Sequence, residues 1–154
     1  MSAARIAAVA AVLVAVVVLA VTVVTGDHVR VAAKEAVRDT PDEHDPAALT
    51  ALEPAVRGYV DAVDSRDVNA LVGVFAPQAT VNDTGRSFHG RAAIRDWARD
   101  EVIGGRLTVL KNTPKTNGTT LLVRFAPQGV GGFEADYEFD LRDGRIARLD
   151  LRYA

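Results

Sequence analysis

Hydrophobic and polar positions divide the chain into three parts. Ile6–Val24 carries no charge, and Thr22 is its one polar side chain. As a helix, this run would extend roughly 28 Å, which is close to the thickness of a bilayer's hydrocarbon core. We therefore predict a transmembrane helix, with a membrane anchor over residues 1–25, a polar linker over 26–46 and a folded domain over 47–154.

A cleaved signal peptide is the alternative to an anchor. The apolar stretch of such a peptide usually has about 7–15 residues, and a small-residue cleavage site follows it directly. The nearest candidate site, Val31–Ala33, lies well beyond the apolar run, which favours an uncleaved anchor. Basic residues flank the run on both sides, Arg5 before it and Arg30 after it, so the positive charges do not fix its orientation. The order of a basic start, an apolar run and a polar region is typical of export signals and favours an extracytoplasmic domain.

The first half of the domain shows helical periodicity. One apolar stripe predicts a helix that begins at Pro54 after a preliminary turn, and its members are Leu49, Leu52, Val56, Tyr59, Val60 and Val63. A second, short helix starts at Ser65 or Asp67, ends at Pro77 and has an apolar face of Val68, Leu71, Val72 and Phe75. A third opens at Gly90 and stops at Gly104–Gly105, with Ile94, Trp97, Ala98 and Val102 on its buried face.

The second half alternates with a period of two, which is typical of strands. Short strands are predicted over 79–83 and 86–89, and longer ones over 106–111, 119–126, 133–142 and 145–153. Asp143–Gly144 is a strong hairpin turn. Helices followed by an antiparallel meander indicate an α+β domain, in which N-terminal helices pack on a strongly curved antiparallel sheet and leave a cone-shaped pocket.

Composition and charge exclude several kinds of function. With 18 Lys+Arg against 20 Asp+Glu, the chain has no general attraction for phosphate backbones, so nucleic acid is not an expected partner. The absence of cysteine excludes disulfides, thiolate metal sites and cysteine nucleophiles. His28 and His44 lack metal-ligand spacing with carboxylates, and no nucleotide-binding loop or serine triad motif is visible. We therefore expect neither a metal nor a cofactor.

Four segments, in order, resemble the SnoaL-like branch of the nuclear transport factor 2-like fold. They are Tyr59–Asp67, Val74–Asp83, Phe88–Trp97 and Asp143–Ile146. The resemblance covers about residues 47–154, and the first half is most similar to ketosteroid isomerase. It implies a pocket for a small hydrophobic molecule, a cofactor-free isomerase or cyclase that works by proton transfer, and a homodimer formed through the exposed sheet face. A noncatalytic binding or protein-interaction module is the alternative, because the fold hosts both.

The resemblance also implies roles for individual residues. Asp83 would be the general base, and Tyr59 would donate a hydrogen bond to the developing enolate oxygen. Asp136 would be the second donor if the final hairpin is counted without gaps. The local alternation places Asp136 on the face opposite the apolar one, so a bulge would be needed to turn it inward. We also expect the pocket to be lined by Phe75, Val81, His89, Trp97 and Tyr153.

Two of these residues have simpler interpretations. Tyr59 would be a core tyrosine whose hydroxyl bonds a backbone carbonyl, as buried tyrosines commonly do. Asp83 would stabilise the turn at Thr84–Gly85 through its side chain. The sequence leaves both alternatives open.

Overall fold

The computed structural model describes residues 43–129 and 131–154. The predicted anchor over 1–25 and residues 26–42 of the predicted linker lie outside the described residues. In the described ranges, no helix is both long enough and apolar enough to cross a bilayer.

Helices open the described domain and strands complete it. The helices are α1 (Pro46–Thr50), α2 (Pro54–Asp64), α3 (Val68–Gly73) and α4 (Gly90–Trp97), and a π-helical turn over Ala98–Val102 continues α4. The strands are β1 (Phe75–Asp83), β2 (Arg86–His89), β3 (Arg106–Lys115), β4 (Gly118–Ala126), β5 (Phe133–Arg142) and β6 (Arg145–Tyr153). A 3-10 turn over Pro127–Gly129 follows β4.

The described strands form one open, mixed sheet in the order β2-β1-β6-β5-β4-β3. β1 runs parallel to β6, whereas all other neighbours are antiparallel. The prediction of a wholly antiparallel sheet was therefore wrong at one pair, because alternation shows which residues share a face but not which distant strand lies beside them. Register shifts interrupt the β1–β6, β3–β4 and β5–β6 pairs, and such bulges add local bend and twist.

Helix α2 confirms the predicted apolar stripe. It begins at Pro54, where a missing N–H costs nothing, and Val56, Tyr59 and Val63 on one face are fully buried. The next helix, α3, has Asp67 as its N-cap, because the Asp67 carboxylate accepts a hydrogen bond from the Ala70 N–H at 2.9 Å.

One predicted boundary was wrong at Phe75. The apolar spacing placed this residue on the second helix, but α3 ends at Gly73 and Phe75 opens β1. Its side chain is fully buried, and an apolar residue at this position fits either periodicity. The Arg91 guanidinium donates two hydrogen bonds, at 2.6 and 3.0 Å, to the Phe75 carbonyl and so ties α4 to the start of β1.

The core lies between the helices and one face of the sheet. On β5 the alternate residues Ala135, Tyr137 and Phe139 are buried, whereas the residues between them are only partly so. At the start of the domain, the Val109 N–H donates to His44 Nδ1 at 3.0 Å and the Asp45 N–H donates to the Val109 carbonyl at 2.8 Å. His44 and Asp45, which were predicted as linker, are therefore bound to the edge strand β3.

Candidate functional site

A cavity of about 330 Å³ lies between the π-helical turn and the sheet. This volume is at the lower end of the range for small-molecule pockets. The wall has an aromatic and aliphatic part and a charged part. Among its residues are Asp83, Arg86, Trp97, Asp100, Glu101, Val102, Ile103, Phe125, Phe133, Ala135, Tyr137, Leu151, Arg152 and Tyr153.

Asp83, the last residue of β1, is the carboxylate with the most contacts on this wall. Its Oδ2 accepts hydrogen bonds from Arg86 Nη2 at 2.7 Å and from Trp97 Nε1 at 3.1 Å. Its Oδ1 accepts one longer hydrogen bond, from the Thr84 hydroxyl at 3.2 Å. Because two donors occupy Oδ2, Oδ1 is the oxygen with acceptor capacity left for a ligand.

A tight turn brings Arg86 back to Asp83. Thr84 and Gly85 both have positive φ, 47° and 92°, which is the arrangement of a two-residue hairpin whose strands pair Asp83 with Arg86. Threonine is β-branched and rarely adopts such a φ, so the turn is strained at the residue that donates to Asp83. Asp83 therefore flanks the turn and lines the cavity at the same time.

Arg86 joins two carboxylates at the cavity. It donates to Glu101 through both Nη1 and Nη2, at 2.8 and 2.7 Å, and through Nη2 to Asp83. The hydrogen bond from Arg86 lowers the pKa of the Glu101 carboxyl below its ordinary value, against the opposing effect of partial burial. Sequence reasoning missed both ion pairs of Arg86. The position of Arg86, three residues after Asp83 and across a two-residue turn, was a signal for its contact with Asp83 but not for its contact with Glu101.

Tyr59 lies in the core behind the cavity and is not among its lining residues. Its ring makes edge contacts with Phe75, Tyr137 and Phe139, and its hydroxyl has no hydrogen-bond partner in the described part of the chain. Burial raises its pKa well above the ordinary value, and Tyr137 and the charge of Asp83 add to the shift. The phenol is therefore neutral, and its hydroxyl is an unused donor.

Tyr137 provides a buried phenol on the cavity wall, besides the exposed Tyr153, and sequence reasoning did not assign it to the site. Burial, and then the negative charge of Asp83, raise its pKa above the ordinary value. The described residues offer its hydroxyl no hydrogen bond. The sequence does place Tyr137 on the apolar face of β5. Residues on that face lie either in the core or on the cavity wall, and the alternation does not tell which.

Asp136 does not join this group. It lies on β5 between Ala135 and Tyr137, both of which line the cavity, so its own side chain points to the opposite face of the sheet. The register shift of the β5–β6 pair comes later, between Asp140 and Leu141. No bulge turns Asp136 inward. The prediction that Asp136 is a second donor in the pocket, which came from counting the final hairpin without gaps, is therefore corrected.

The predicted pocket residues fall into two groups. Trp97 and Tyr153 line the cavity, whereas Phe75 and Val81 are fully buried in the core and do not. His89 is exposed at the end of the edge strand β2, where its Nδ1 lies 3.0 Å from the Thr80 hydroxyl. In the described ranges, no three His, Asp or Glu side chains are grouped so as to hold a metal ion.

Solved structures with this architecture come from several bacteria. A proposed polyketide cyclase from Sinorhizobium meliloti is 29% identical, with a TM-score of 0.59 over 66% of this chain and 95% of its own. A proposed ketosteroid isomerase from Kribbella flavida is 16% identical, with a TM-score of 0.60 over 66% and 76%. A Mycobacterium tuberculosis protein in complex with estradiol-17beta-hemisuccinate is 12% identical, with a TM-score of 0.58 over 65% and 91%. No curated protein matches the chain.

The family assignment rests on the sequence as well as on the fold. The profile of the SnoaL-like domain matches residues 56–149, which is more than half of the chain and runs from α2 into β6. The resemblance seen in the four sequence segments is confirmed over this range. The chain belongs to the SnoaL-like domain family, whose fold is that of nuclear transport factor 2.

Proposed function

We propose that the cavity binds a small, largely apolar molecule with one polar group held by Asp83 Oδ1 or by the Tyr137 hydroxyl. The observation that carries the proposal is a cavity with an aromatic and aliphatic part, on whose wall Asp83 and Tyr137 each have a polar atom with hydrogen-bonding capacity left. A few polar groups in an apolar pocket are the usual arrangement of a ligand site. The estradiol derivative bound by the Mycobacterium tuberculosis protein supports a hydrophobic ligand.

The size of the cavity limits the ligand. A volume of 330 Å³ corresponds to about 11 water molecules at roughly 30 Å³ each. A compound of about a dozen non-hydrogen atoms, with one ring or two, fills this space. We therefore take 4-tert-butylphenol as a neutral probe of the right size, with a hydroxyl for the polar anchors.

Fluorescence of Trp97 tests binding directly. Trp97 is the chain's only tryptophan, it lines the cavity and its indole N–H bonds Asp83. Titration of 4-tert-butylphenol into the full-length chain should change the fluorescence saturably, and Asp83→Asn should weaken binding. Asp143→Asn is the matched control, since it removes the same charge from the remote β5–β6 turn. The absence of a saturable change in the wild type would overturn the proposal.

A second candidate is proton transfer in the same cavity. One observation favours it: Asp83 and Tyr137 line the same wall, and the charge of Asp83 acts on the Tyr137 phenol. Asp83 Oδ1 would take a proton from the carbon beside a ketone, and the Tyr137 hydroxyl would donate to the enolate oxygen that forms. Tyr59, which is absent from the wall, would not be required.

Hydrogen exchange tests this second candidate. The carbon-bound hydrogens beside the carbonyl of 2-tetralone, a two-ring ketone of suitable size, should exchange with deuterated water faster in the presence of the protein. Asp83→Asn should abolish the acceleration, Tyr137→Phe should lower it about a hundredfold, and Tyr59→Phe should leave it unchanged. Exchange at the uncatalysed rate with the wild type would leave binding alone as the function.

The proposed membrane tether rests on the sequence. Ile6–Val24 is uncharged and is long enough, as a helix, to cross the hydrocarbon core. The full-length chain should sediment with membranes after an alkaline carbonate wash, and a chain lacking residues 1–25 should not. Recovery of the chain in the soluble fraction with its N-terminus intact would refute the tether.

A further inference from the structure

Aromatic residues are concentrated at the cavity. Five of the chain's nine aromatic residues line it, namely Trp97, Phe125, Phe133, Tyr137 and Tyr153. Phe133 packs edge-on against both Phe125 and Tyr153, with ring centroids 6.0 and 5.1 Å apart. Phe133 is 36% exposed and Tyr153 68% exposed, so these two rings lie at the mouth. An apolar ligand needs no particular kind of apolar wall, whereas the face of an aromatic ring attracts a cation.

The charges on the same wall are predominantly negative. Asp83, Asp100 and Glu101 line the cavity. The one guanidinium of Arg86 is shared between Asp83 and Glu101, and Asp100 pairs at 2.8 Å with Arg99, which is not among the lining residues. The other lining arginine, Arg152, donates to Glu138, which is not among the lining residues. An anionic ligand would therefore meet repulsion here, and a cation would meet attraction.

Unpartnered polar atoms point to a ligand at the same place. Tyr137 is 3% exposed and lines the cavity. Its hydroxyl makes no hydrogen bond with the described residues. Asp83 Oδ1 accepts only the 3.2 Å hydrogen bond from Thr84. Burial, and then the charge of Asp83, raise the pKa of Tyr137, so the phenol on this wall is neutral.

We propose that the ligand of this cavity is an organic cation, a compact ring compound that carries a substituted ammonium group. The inference rests on the proposed binding function and names the class of ligand. A substituted ammonium suits this wall better than a primary one, because its alkyl groups contact the aromatic rings and it has fewer N–H donors that need acceptors. The ring of the ligand occupies the aliphatic and aromatic interior, and the charge lies beside the carboxylates.

A matched pair of probes tests the inference on the full-length chain. One is 4-tert-butylphenol and the other is the 4-hydroxyphenyltrimethylammonium ion. The two have the same shape, but the ion has a positively charged nitrogen in place of the quaternary carbon of the tert-butyl group. Titrations followed by Trp97 fluorescence give a dissociation constant for each. We expect the cation to bind about tenfold more tightly than the neutral probe at low salt.

A variant and a salt titration identify the source of the preference. Glu101→Gln removes a carboxylate from the wall and leaves Arg86 to Asp83 alone, so the ratio of the neutral probe's dissociation constant to that of the cation should fall towards unity. Asp143→Asn, with the same change in charge on a remote turn, should keep the preference. Potassium chloride should weaken binding of the cation and not that of the neutral probe, a measurement that needs no variant to fold.

The outcomes separate the two proposals. Tighter binding of the cation that is lost in Glu101→Gln or in salt supports the inference. Saturable binding of both probes with equal or better affinity for the neutral one overturns the inference and leaves the proposed binding function standing. The absence of saturable binding by either probe overturns both.

Discussion

The buried hydroxyl of Tyr59 leads to a prediction about stability. This hydroxyl is fully buried and has no hydrogen-bond partner in the described part of the chain. Leaving such a group unpaired costs about 1–3 kcal/mol. Tyr59→Phe removes the hydroxyl and keeps the ring, whose edge contacts with Phe75, Tyr137 and Phe139 have centroid distances of 6.2, 6.4 and 5.4 Å. We therefore expect the substitution to raise the free energy of unfolding by about 1 kcal/mol and Tm by roughly 4 °C.

Urea denaturation followed by far-UV circular dichroism measures this change in the full-length chain. Tyr137→Phe is the matched control, because its hydroxyl lies on a cavity wall that opens to solvent, and its effect should stay within about 0.5 kcal/mol. A loss of 1 kcal/mol or more in Tyr59→Phe would refute the reasoning. Such a loss would mean that the hydroxyl has a partner in solution, such as a buried water.

Two further predictions concern packing and pH. Gly105→Ala should destabilise the domain by about 1–3 kcal/mol and weaken binding of 4-tert-butylphenol, because its Cβ would lie 2.6 Å from Phe125 Cζ. Gly73→Ala, with open space around its Cβ, is the control, and equal effects would contradict the packing argument. Burial alone would raise the pKa of Asp150, but hydrogen bonds from Arg148 and from the side-chain amide of Asn82 outweigh it and hold the pKa below its ordinary value. The resulting stabilisation is present above the unfolded pKa of about 3.9 and is lost as the pH falls through the folded value. Asp150→Asn should therefore reduce the loss of stability between neutral and acidic pH, and an unchanged pH profile would exclude this contribution.

Periodicity predicted most of the fold because each element buries one face. The stripe of α2 and the alternation of β5 are directly visible in the sequence, and the structure has them as predicted, whereas burial in β6 does not alternate along the whole strand. Two features were not visible. The parallel pairing of β1 with β6 depends on tertiary packing between distant segments, and Phe75 satisfies helical and strand spacing equally well. The pairing of β1 and the secondary structure at Phe75 therefore depend on tertiary packing and not on the local sequence pattern.

The candidate site was less predictable, because its residues come from segments far apart in the chain. Asp83, Trp97 and Tyr153 were predicted and line the cavity. Asp136 was included through the resemblance, with the final hairpin counted without gaps, against a local alternation that correctly placed it on the other face. Glu101 lies on the π-helical turn, and no sequence period indicates that its carboxylate reaches Arg86.

Three of the irregular features of the fold meet at Asp83. Its donors are Thr84, which has a positive φ, Arg86, which follows the turn, and Trp97, where α4 changes into a π-helix. Strained turns and π-helical turns have a local energetic cost, and both are frequent at functional sites. Of the four non-glycine residues with positive φ in the described ranges, Thr84 and Gln128 line this cavity, whereas Arg66 and Asp143 do not. A domain selected for stability alone would have no need to place these costs around a single carboxylate. Their coincidence favours a ligand-binding role for Asp83 over a purely structural role in the turn.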